Sequence, residues 1–257
     1  MKKIAITTFK GGTGKTTTAM NLSHGLALCG KRVLVIDCDP QGSLTVSFNF
    51  HGEAALSDLL LFRKATIIRL RRNLYGIDSG REKLVEAQHF LAKRNGNELR
   101  LRKILTYLRE CDYVLFDCPP ALNLVSTNVL LSADYVLLPV STDFLALVGV
   151  KMTLETLEEI RRNFDYRPEL LGILPTFFDR RTKISKEVLA ILKEHFGEKV
   201  FKTYIRVNTQ LKESPSFNKT IFEYAPSSAG SEDYFSLTQE VLEKTGDANG
   251  RDKDIGR

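Results

Sequence analysis

The chain has 257 residues, of which 43% are hydrophobic, so it can bury the core of one large domain and is not a disordered protein. Lys and Arg (37) outnumber Asp and Glu (31), and the formal charge of +6 favours polyanionic partners without requiring them. The sequence contains no apolar stretch of about 18 residues, which excludes a membrane-spanning helix. Its four cysteines form no C-x-x-C pair, which favours a reduced, cytoplasmic compartment.

Short apolar runs alternate with helical patterns along the chain. Runs that are apolar on both faces indicate parallel strands covered by helices. Five strands are predicted, over residues 4–8, 33–37, 113–117, 135–140 and 170–174. Helices are predicted over 16–28, 99–110, 147–163, 184–196 and 232–244. The alternation predicts an α/β fold with a doubly wound, mostly parallel sheet flanked by helices, in a single domain over 1–245. The polar segment 246–257 is predicted to be a disordered tail.

A glycine-rich segment, FKGGTGKTTT, stands between the first strand and the first helix. Glycines admit backbone conformations that other residues avoid, so successive N–H groups and the helix N-terminus can point at phosphate oxygens. The segment matches the phosphate-binding pattern G-x-x-x-x-G-K-[ST] in a shortened frame. The predicted nucleotide-binding residues are Gly11, Gly12, Thr13, Gly14, Lys15, Thr16 and Thr17. The alternative is a glycine-rich turn that only caps a helix.

Three residues of this segment carry the predicted chemistry. Lys15 is expected to neutralise the β and γ phosphates of a nucleotide. The Thr16 hydroxyl is expected to complete the shell of Mg²⁺, a hard cation that prefers oxygen ligands, and Thr17 is a further phosphate contact. The predicted cofactors are therefore ATP and Mg²⁺.

A second lysine, Lys10, comes directly before the glycines. With it the segment resembles K-G-G-x-G-K-[ST], the signature of the deviant Walker ATPases. The resemblance implies that Lys10 reaches the nucleotide of a partner subunit in an ATP-bound homodimer. A cation supplied in trans would stabilise charge on the transferring phosphoryl group, so Lys10 and Lys15 are both predicted to be catalytic. The alternative is a lysine that is only exposed to solvent.

Two aspartates end the second predicted strand, in VLVIDCDPQG, at the edge where open α/β sheets collect their ligands. Strand alternation sends the side chains of Asp37 and Asp39 the same way. The segment resembles the D-x-D-P-Q-G of ParA-type ATPases. This resemblance implies that Asp39 is catalytic and positions or activates the attacking water, while Asp37 lies near the metal. The alternative is that both aspartates only cap the turn at Pro40.

A third aspartate, Asp117, closes the apolar run YVLFD in the manner of a Walker B motif. Its carboxylate is predicted to hold Mg²⁺ through water, so the predicted metal residues are Thr16, Asp37 and Asp117. Cys38 and Cys118 follow two of these aspartates, but Mg²⁺ avoids thiolates and no zinc-like spacing is present. We predict that both cysteines pack in the core.

The similarity to the ParA family continues through 174–182 and 201–234, so it covers nearly the whole chain. It implies a P-loop NTPase fold of the short, Soj-like type. It also implies a cytoplasmic, nucleoid-associated ATPase that partitions chromosomes or plasmids and is stimulated by a ParB-like adaptor protein. In that family the segment after the last predicted strand helps to hold the adenine. The corresponding residues here are Pro175, Thr176, Phe177 and Asn208.

Basic residues are frequent between 179 and 219. The family resemblance places the non-specific contacts of the dimer with double-stranded DNA in this segment, where neutralised phosphates release counterions without base reading. The candidates are Arg181, Lys186, Arg206 and Lys212. The chain departs from the family here, because Gln210 replaces an arginine and Lys212 a serine. A second basic block, 63–109, is predicted either to extend the DNA face or to keep helices soluble.

Other functions of the same superfamily stay open as alternatives. A MinD-like ATPase binds membrane surfaces through a basic amphipathic C-terminal helix, whereas this C-terminus is polar and interrupted by glycine, so no membrane partner is expected. Relatives that carry iron–sulfur clusters need a C-P-x-C that is missing here. A ParA-like ATPase that positions a protein cargo on the nucleoid would have nearly the same sequence, and only neighbouring genes would distinguish it.

Overall fold

The computed structural model describes residues 1–93, 96–108 and 110–247, which contain a sheet of seven strands. The strands are β1 (Lys2–Ile6), β2 (Val33–Asp37), β3 (Ile68–Arg71), β4 (Leu74–Ile77), β5 (Tyr113–Asp117), β6 (Tyr135–Ser141) and β7 (Glu169–Thr176). Their order across the sheet is β3-β4-β2-β5-β1-β6-β7. Every neighbouring pair is parallel except β3 with β4. The predicted fold, a mostly parallel sheet flanked by helices, is confirmed.

Helices cover both faces of this sheet. They are α1 (Lys15–Leu28), α2 (Ser43–Phe48), α3 (Leu56–Phe62), α4 (Glu82–Ala92), α5 (Arg100–Leu105), α6 (Leu124–Ser132), α7 (Ala146–Phe164), α8 (Lys183–Phe196), α9 (Thr209–Glu213), α10 (Ile221–Tyr224) and α11 (Ala229–Lys244). Apolar residues of α1, α9, α10 and α11 pack on one face, and those of α3 to α7 pack on the other. A smaller core lies under α7 and α8, beside β6 and β7.

Side chains alternate along each strand, so successive residues contribute to the two main cores in turn. Ile4 and Ile6 of β1 face the core that contains α1, whereas Ala5 between them faces the core that contains α6. Side chains such as Leu22 and Phe116 are fully buried. Each stabilises the fold by about 1.5–3 kcal/mol through the hydrophobic effect. The sheet is therefore held rigidly between two layers, and its carboxyl edge can position polar side chains.

The five predicted strands are found, with small changes in their bounds. Strand β1 begins and ends two residues earlier than predicted, because Thr7 and Thr8 already lead into the glycine-rich loop. The predicted helix over 99–110 is wrong at its C-terminal end. Helix α5 ends at Leu105, and the following Thr106 hydroxyl donates to the Lys103 carbonyl at 2.7 Å. Arg109 and Arg94 of the second basic block lie outside the described residues.

The C-terminal end of the described chain is tied to the sheet. The Asp247 N–H donates to the Leu242 carbonyl at 2.8 Å. The Asp247 carboxylate accepts the Tyr113 hydroxyl at 2.8 Å and pairs with Lys2 at 3.1 Å. Gly246 and Asp247 are therefore part of the folded domain, although the predicted tail begins at 246. Residues 248–257, the rest of that tail, lie outside the described residues.

Candidate nucleotide site

The glycine-rich loop, residues 10–17, connects β1 to α1 at the carboxyl edge of the sheet and is called the phosphate loop below. Gly12 and Gly14 have φ angles of 71° and 88°, in the left-handed region that favours glycine. Gly14 caps α1, and its carbonyl accepts the Thr18 N–H at 2.9 Å. The first turn of α1 therefore presents its N–H groups at this edge, as an anion site requires.

Lys15 lies inside the site. It is only 8% exposed, and its ammonium donates to the Lys10 carbonyl at 3.2 Å. Burial lowers the pKa of Lys15, whereas the negative charges of Asp117 and Asp39 act to raise it. The predicted phosphate lysine is therefore a desolvated cation that faces two of the three predicted carboxylates.

Asp117 ends β5 next to this lysine. It is 1% exposed, and neither of its carboxylate oxygens accepts a hydrogen bond from any described residue. Burial raises the pKa of Asp117 well above its ordinary value, and Asp37 raises it further, while the nearby Thr16 hydroxyl acts to lower it. A buried carboxylate without partners costs free energy, so this position fits a group that a ligand completes.

Other buried polar atoms close to the phosphate loop also lack partners. Within the described residues, the hydroxyls of Thr7, Thr8 and Thr13 make no hydrogen bond although they are buried. Together with Asp117 and Thr16, they form a set of oxygen atoms at one edge of the sheet. Hydrated Mg²⁺ prefers oxygen ligands and keeps several waters, so the residues present fit Mg²⁺ bound with a nucleotide phosphate.

Asp37 is held by α2. Its carboxylate accepts the Thr45 N–H at 2.9 Å and the Thr45 hydroxyl at 2.7 Å, and it accepts the Asp39 N–H at 3.1 Å. Asp37 is fully buried and pairs in register with Asp117 on the neighbouring strand. Burial raises the pKa of Asp37 to about 6, although the bonds from Thr45 oppose the rise. Asp37 therefore connects the metal side of the site to the start of α2.

Asp39 lies in a tight turn, residues 39–42, which we call the switch turn. Its carboxylate accepts the Gln41 N–H at 2.9 Å, and its carbonyl accepts the Gly42 N–H at 2.9 Å. Gly42 has a φ of 66° and caps α2. The turn leaves Asp39 half-buried at the carboxyl edge of β2, on the side of the sheet edge that Lys15 occupies.

Lys10 has a partner that the sequence did not reveal. Its ammonium lies 2.7 Å from both carboxylate oxygens of Asp143 and 3.3 Å from the Ser141 hydroxyl. Ser141 in turn donates to Asp143 at 2.5 Å. Although partial burial acts to raise the pKa of Asp143, the bonds from Lys10 and Ser141 lower it. Asp143 comes two residues after the end of β6, as Asp39 comes two residues after the end of β2, and that position was the signal available in the sequence.

A cavity of about 330 Å³ lies beside the phosphate loop. It is lined by Gly14, Thr17, Thr176, Phe177, Ile205, Arg206, Asn208, Leu211, Lys212, Pro215 and Tyr234. The walls are mostly apolar, which suits a flat base, and polar groups are placed at a few points. Thr176 is fixed because its hydroxyl donates to the Thr13 carbonyl at 2.9 Å.

Three of the four predicted adenine residues line this cavity: Thr176, Phe177 and Asn208. Pro175 does not line it, and its carbonyl accepts the Ile205 N–H at 2.9 Å instead. Tyr234, which was not predicted, reaches the cavity from α11 and shares a 3.2 Å hydrogen bond with the Thr18 hydroxyl.

The four DNA candidates fall into two places. Arg181 and Lys186 are exposed near the start of α8, and Arg181 also pairs with Asp179 at 2.8 Å. Lys212 is exposed and lines the cavity. Arg206 also lines the cavity, but its guanidinium is bound by Asp233 at 2.6 Å and Glu232 at 2.9 Å. Arg206 thus differs from the other three because it holds the wall of the cavity.

Three arginines of the second basic block make contacts within the protein. Arg71 pairs with Glu223 at 2.5 Å. Arg100 donates to the Leu60 and Leu61 carbonyls, and the Arg102 guanidinium lies 4.1 Å from the centre of the Tyr166 ring. These three arginines connect elements that are distant in sequence and do not form one DNA face.

None of the helices formed by the described residues is long and apolar enough to cross a membrane.

Sequence comparison identifies relatives over the whole chain. A family model described as an AAA domain matches residues 1–170. The chromosome-partitioning ATPase Soj of Thermus thermophilus is 41% identical, and the match covers 96% of this chain and 98% of that protein. The chromosome partitioning protein ParA of Caulobacter vibrioides is 35% identical, and the match covers 96% of each chain.

Solved structures of similar fold support the same grouping. A cobyrinic acid a,c-diamide synthase from Mycobacterium smegmatis, with a bound ATP analogue and magnesium, has a TM-score of 0.82 at 26% identity. The match covers 99% of this chain and 100% of that one. McdA from Cyanothece has a TM-score of 0.84 at 26% identity and covers 94% of this chain and 99% of its own. The candidate nucleotide site therefore lies in a fold that these proteins share over most of their length.

Proposed function

Because the chain belongs to the ParA/Soj family of P-loop ATPases, we propose that ATP and Mg²⁺ join two copies of it in a dimer that binds DNA without sequence preference. Its membership of this family makes the chain an ATPase of partition type. Its setting would be the nucleoid, in the cytoplasm, and a ParB-like adaptor would stimulate hydrolysis.

The main observation in support of ATP and Mg²⁺ binding is that the buried carboxylate of Asp117 lacks a partner in the part of the chain that the structure describes. Both of its oxygens are buried without a hydrogen-bond partner among the described residues, next to the buried ammonium of Lys15. Thr16 and Asp117 would hold Mg²⁺, with Asp37 behind them. Bound Mg²⁺ would supply electrostatic stabilisation of charge on the phosphates.

Three residues of the chain would then have separate roles in ATP hydrolysis. Lys15 would neutralise the phosphates in a site where burial strengthens its charge interactions. Asp39 would orient the attacking water from the switch turn. Lys10 would leave Asp143 and reach the nucleotide of the partner, where a second cation stabilises the transferring phosphoryl group.

The dimer is supported by an apolar surface close to Lys10. Large apolar side chains are exposed just after Asp143 and along the first turns of α7: Phe144, Leu145, Leu147, Val148 and Met152. Phe144 is 86% exposed. Contiguous apolar surface of this kind marks interaction sites, and a symmetric dimer would cover the same patch on both subunits.

The DNA surface of the proposal consists of Arg181, Lys186 and Lys212. These cations are exposed, so they can neutralise phosphates and release counterions without reading bases. Arg206 is left out of this set because Asp233 and Glu232 already occupy its guanidinium. Two subunits would present two such surfaces, which links DNA affinity to ATP binding.

The experiment is DNA co-sedimentation with ATP, ADP or no nucleotide across a salt series. Wild type is compared with Asp39→Ala, which should retain ATP-dependent binding because hydrolysis is blocked. Lys10→Ala should lose it because the dimer does not form. Lys3→Ala is the matched control, since the Lys3 ammonium also pairs with both carboxylate oxygens of an aspartate, Asp134, at 2.8 and 2.9 Å, but lies near the start of β1, away from the phosphate loop and the apolar surface.

Salt-sensitive binding that requires ATP, is kept by Asp39→Ala and Lys3→Ala and is lost by Lys10→Ala would support the proposal. Binding that ignores ATP, or equal behaviour of Lys10→Ala and Lys3→Ala, would reject it.

A further inference from the structure

The loop that joins β4 to α4, residues 78–81, closes on the switch turn. A β-carbon built on Gly42 would lie 3.0 Å from Nε and 3.1 Å from Cγ of Arg81, and 3.4 Å from the Ser79 hydroxyl. The side chain of Arg81 therefore rests directly on the glycine that ends the switch turn. Strand β4 is the neighbour of β2 in the sheet, so the loop and the turn leave the same edge side by side.

The backbone of Arg81 is strained. It has φ 49° and ψ −114°, a combination that residues with a β-carbon rarely adopt. Strained conformations persist only where their surroundings fix them, and they concentrate at functional sites.

The rest of the loop supplies that restraint. The Asp78 carboxylate accepts the N–H groups of Gly52 and Gly80, both at 2.8 Å, and the Ser79 hydroxyl accepts the Arg81 N–H at 3.2 Å. Gly80 has φ 77°, and a β-carbon there would lie 2.5 Å from the Ser57 hydroxyl oxygen. The loop is thus pressed against the start of α3 and holds Arg81 in place.

The Arg81 guanidinium has no ion pair and donates no hydrogen bond within residues 1–93, 96–108 and 110–247. Arg71 and Arg206 differ in this respect, because each is bound by a carboxylate. The exposed side chain of Arg81 instead lies against Gly42. The strained backbone conformation of Arg81 directs its side chain against the switch turn.

We propose that Arg81 is a positioning residue for ATP hydrolysis, which acts by fixing the switch turn that carries Asp39. Gly42 donates its N–H to the Asp39 carbonyl at 2.9 Å and caps α2, and α2 holds Asp37 through Thr45. A shift of Gly42 therefore moves the water-orienting Asp39 relative to the phosphate loop. This inference rests on the proposed function of the site as an ATPase centre.

The test variant is Arg81→Gly, because glycine keeps the backbone conformation without strain and removes only the side chain. Arg63→Gly is the matched control. Arg63 also has a positive φ, 58°, and is exposed, but it ends α3 away from the switch turn. Both variants lose one charge, and both should fold as stably as wild type, since relief of strain offsets the entropy that glycine adds to the unfolded chain.

Two measurements decide the inference. Steady-state hydrolysis should show kcat lowered about tenfold in Arg81→Gly with KM for ATP unchanged, because misplacing a catalytic group slows the chemical step without weakening binding. Arg63→Gly should match wild type. Hydrogen exchange without nucleotide should show faster exchange at the amides of Gly42, Thr45 and Val46 in Arg81→Gly alone.

The inference fails if these amides exchange at wild-type rates in Arg81→Gly, or if kcat is equal in the two variants. A wild-type protein that does not hydrolyse ATP would instead reject the proposed function, and the exchange measurement would still decide whether Arg81 fixes the turn.

Discussion

The nucleotide site and the basic segment 179–219 both carry many charges, but they hold them differently. In the site, Lys15 and Asp117 are almost fully buried, and Asp117 lacks a hydrogen-bond partner among the described residues. In the basic segment, Arg181 is exposed and Arg206 is bound by Asp233. Burying an unpaired polar group costs free energy, whereas a solvated charge costs little. A buried carboxyl group without a hydrogen-bond partner therefore indicates a ligand, while an exposed or paired cation indicates only a surface or a structural contact.

The largest effect expected from this comparison is at Lys15. Lys15→Ala should weaken ATP binding by about 100-fold or more, because charge-assisted contacts to phosphate are lost. The stability of the nucleotide-free protein should not fall, since a desolvated cation is removed. Titration with a fluorescent ATP analogue and denaturant unfolding measure the two quantities. Lys31→Ala is the control, because Lys31 is a half-buried lysine whose partner, Asp247, lies far along the chain. Equal loss of ATP affinity in both variants would contradict the prediction.

The buried carboxyl group of Asp37 should make the stability of the nucleotide-free protein depend on pH. Its pKa of about 6 in the folded protein exceeds the ordinary value of 3.8, so its contribution to stability is present at low pH and is lost as the pH rises through 6. The loss amounts to about 3 kcal/mol. Asp37→Asn is neutral and nearly the same size, so without nucleotide it should become more stable than wild type above about pH 7 and lose that advantage near about pH 4. Urea unfolding at several pH values tests this, and a pH-independent difference would contradict it.

Arg206 tests whether a cation of the basic segment is structural. Arg206→Ala should reduce the free energy of unfolding by about 2 kcal/mol, because the buried Asp233 carboxylate would lose the guanidinium and keep only the backbone N–H of residue 206. Arg180→Ala is the matched control, since the Arg180 guanidinium contacts only the Tyr204 hydroxyl, at 3.1 Å, among the contacts found in the described chain. It should stay within about 0.5 kcal/mol of wild type. Equal stability of the two variants would show that Arg206 does not stabilise the fold.

The smallest effects are expected at the exposed cations. Arg181→Ala and Lys186→Ala should each weaken ATP-dependent DNA binding about threefold and lower the salt slope by about one, without changing stability. Fluorescence anisotropy across a salt series measures both parameters. A loss confined to one DNA sequence would point to base recognition and contradict the proposed phosphate contacts.

The sequence predicted the central strands and the phosphate loop because local patterns determine both. Strands β3 and β4 were missed since each has four residues, and Arg69 and Arg71 interrupt the apolar pattern of β3. Short helices such as α2 are held by tertiary bonds, among them the Thr45 bonds to Asp37. Such tertiary hydrogen bonds cannot be predicted from a local sequence pattern.

The same limit applies to partners within the site. Lys10 and Asp143 are 133 positions apart, and Arg206 and Asp233 are 27 positions apart. The family resemblance made Arg206 a candidate for DNA contact, although folding pairs it with a carboxylate. Pro175, Thr176, Phe177 and Asn208 were predicted from family resemblance, and of these Thr176, Phe177 and Asn208 line the cavity whereas Pro175 does not.

The contact between Lys10 and Asp143 also determines how the proposed dimer would assemble. An ammonium taken from water must be dehydrated, but that of Lys10 already lies 2.7 Å from both carboxylate oxygens of Asp143. Its transfer to a partner's nucleotide is therefore an exchange of one anion for another, with a small net change in free energy. The more negative triphosphate would favour the exchange, and loss of the γ phosphate would return Lys10 to Asp143. Assembly would then be reversible without any change of fold, and the charge of the nucleotide would set its direction.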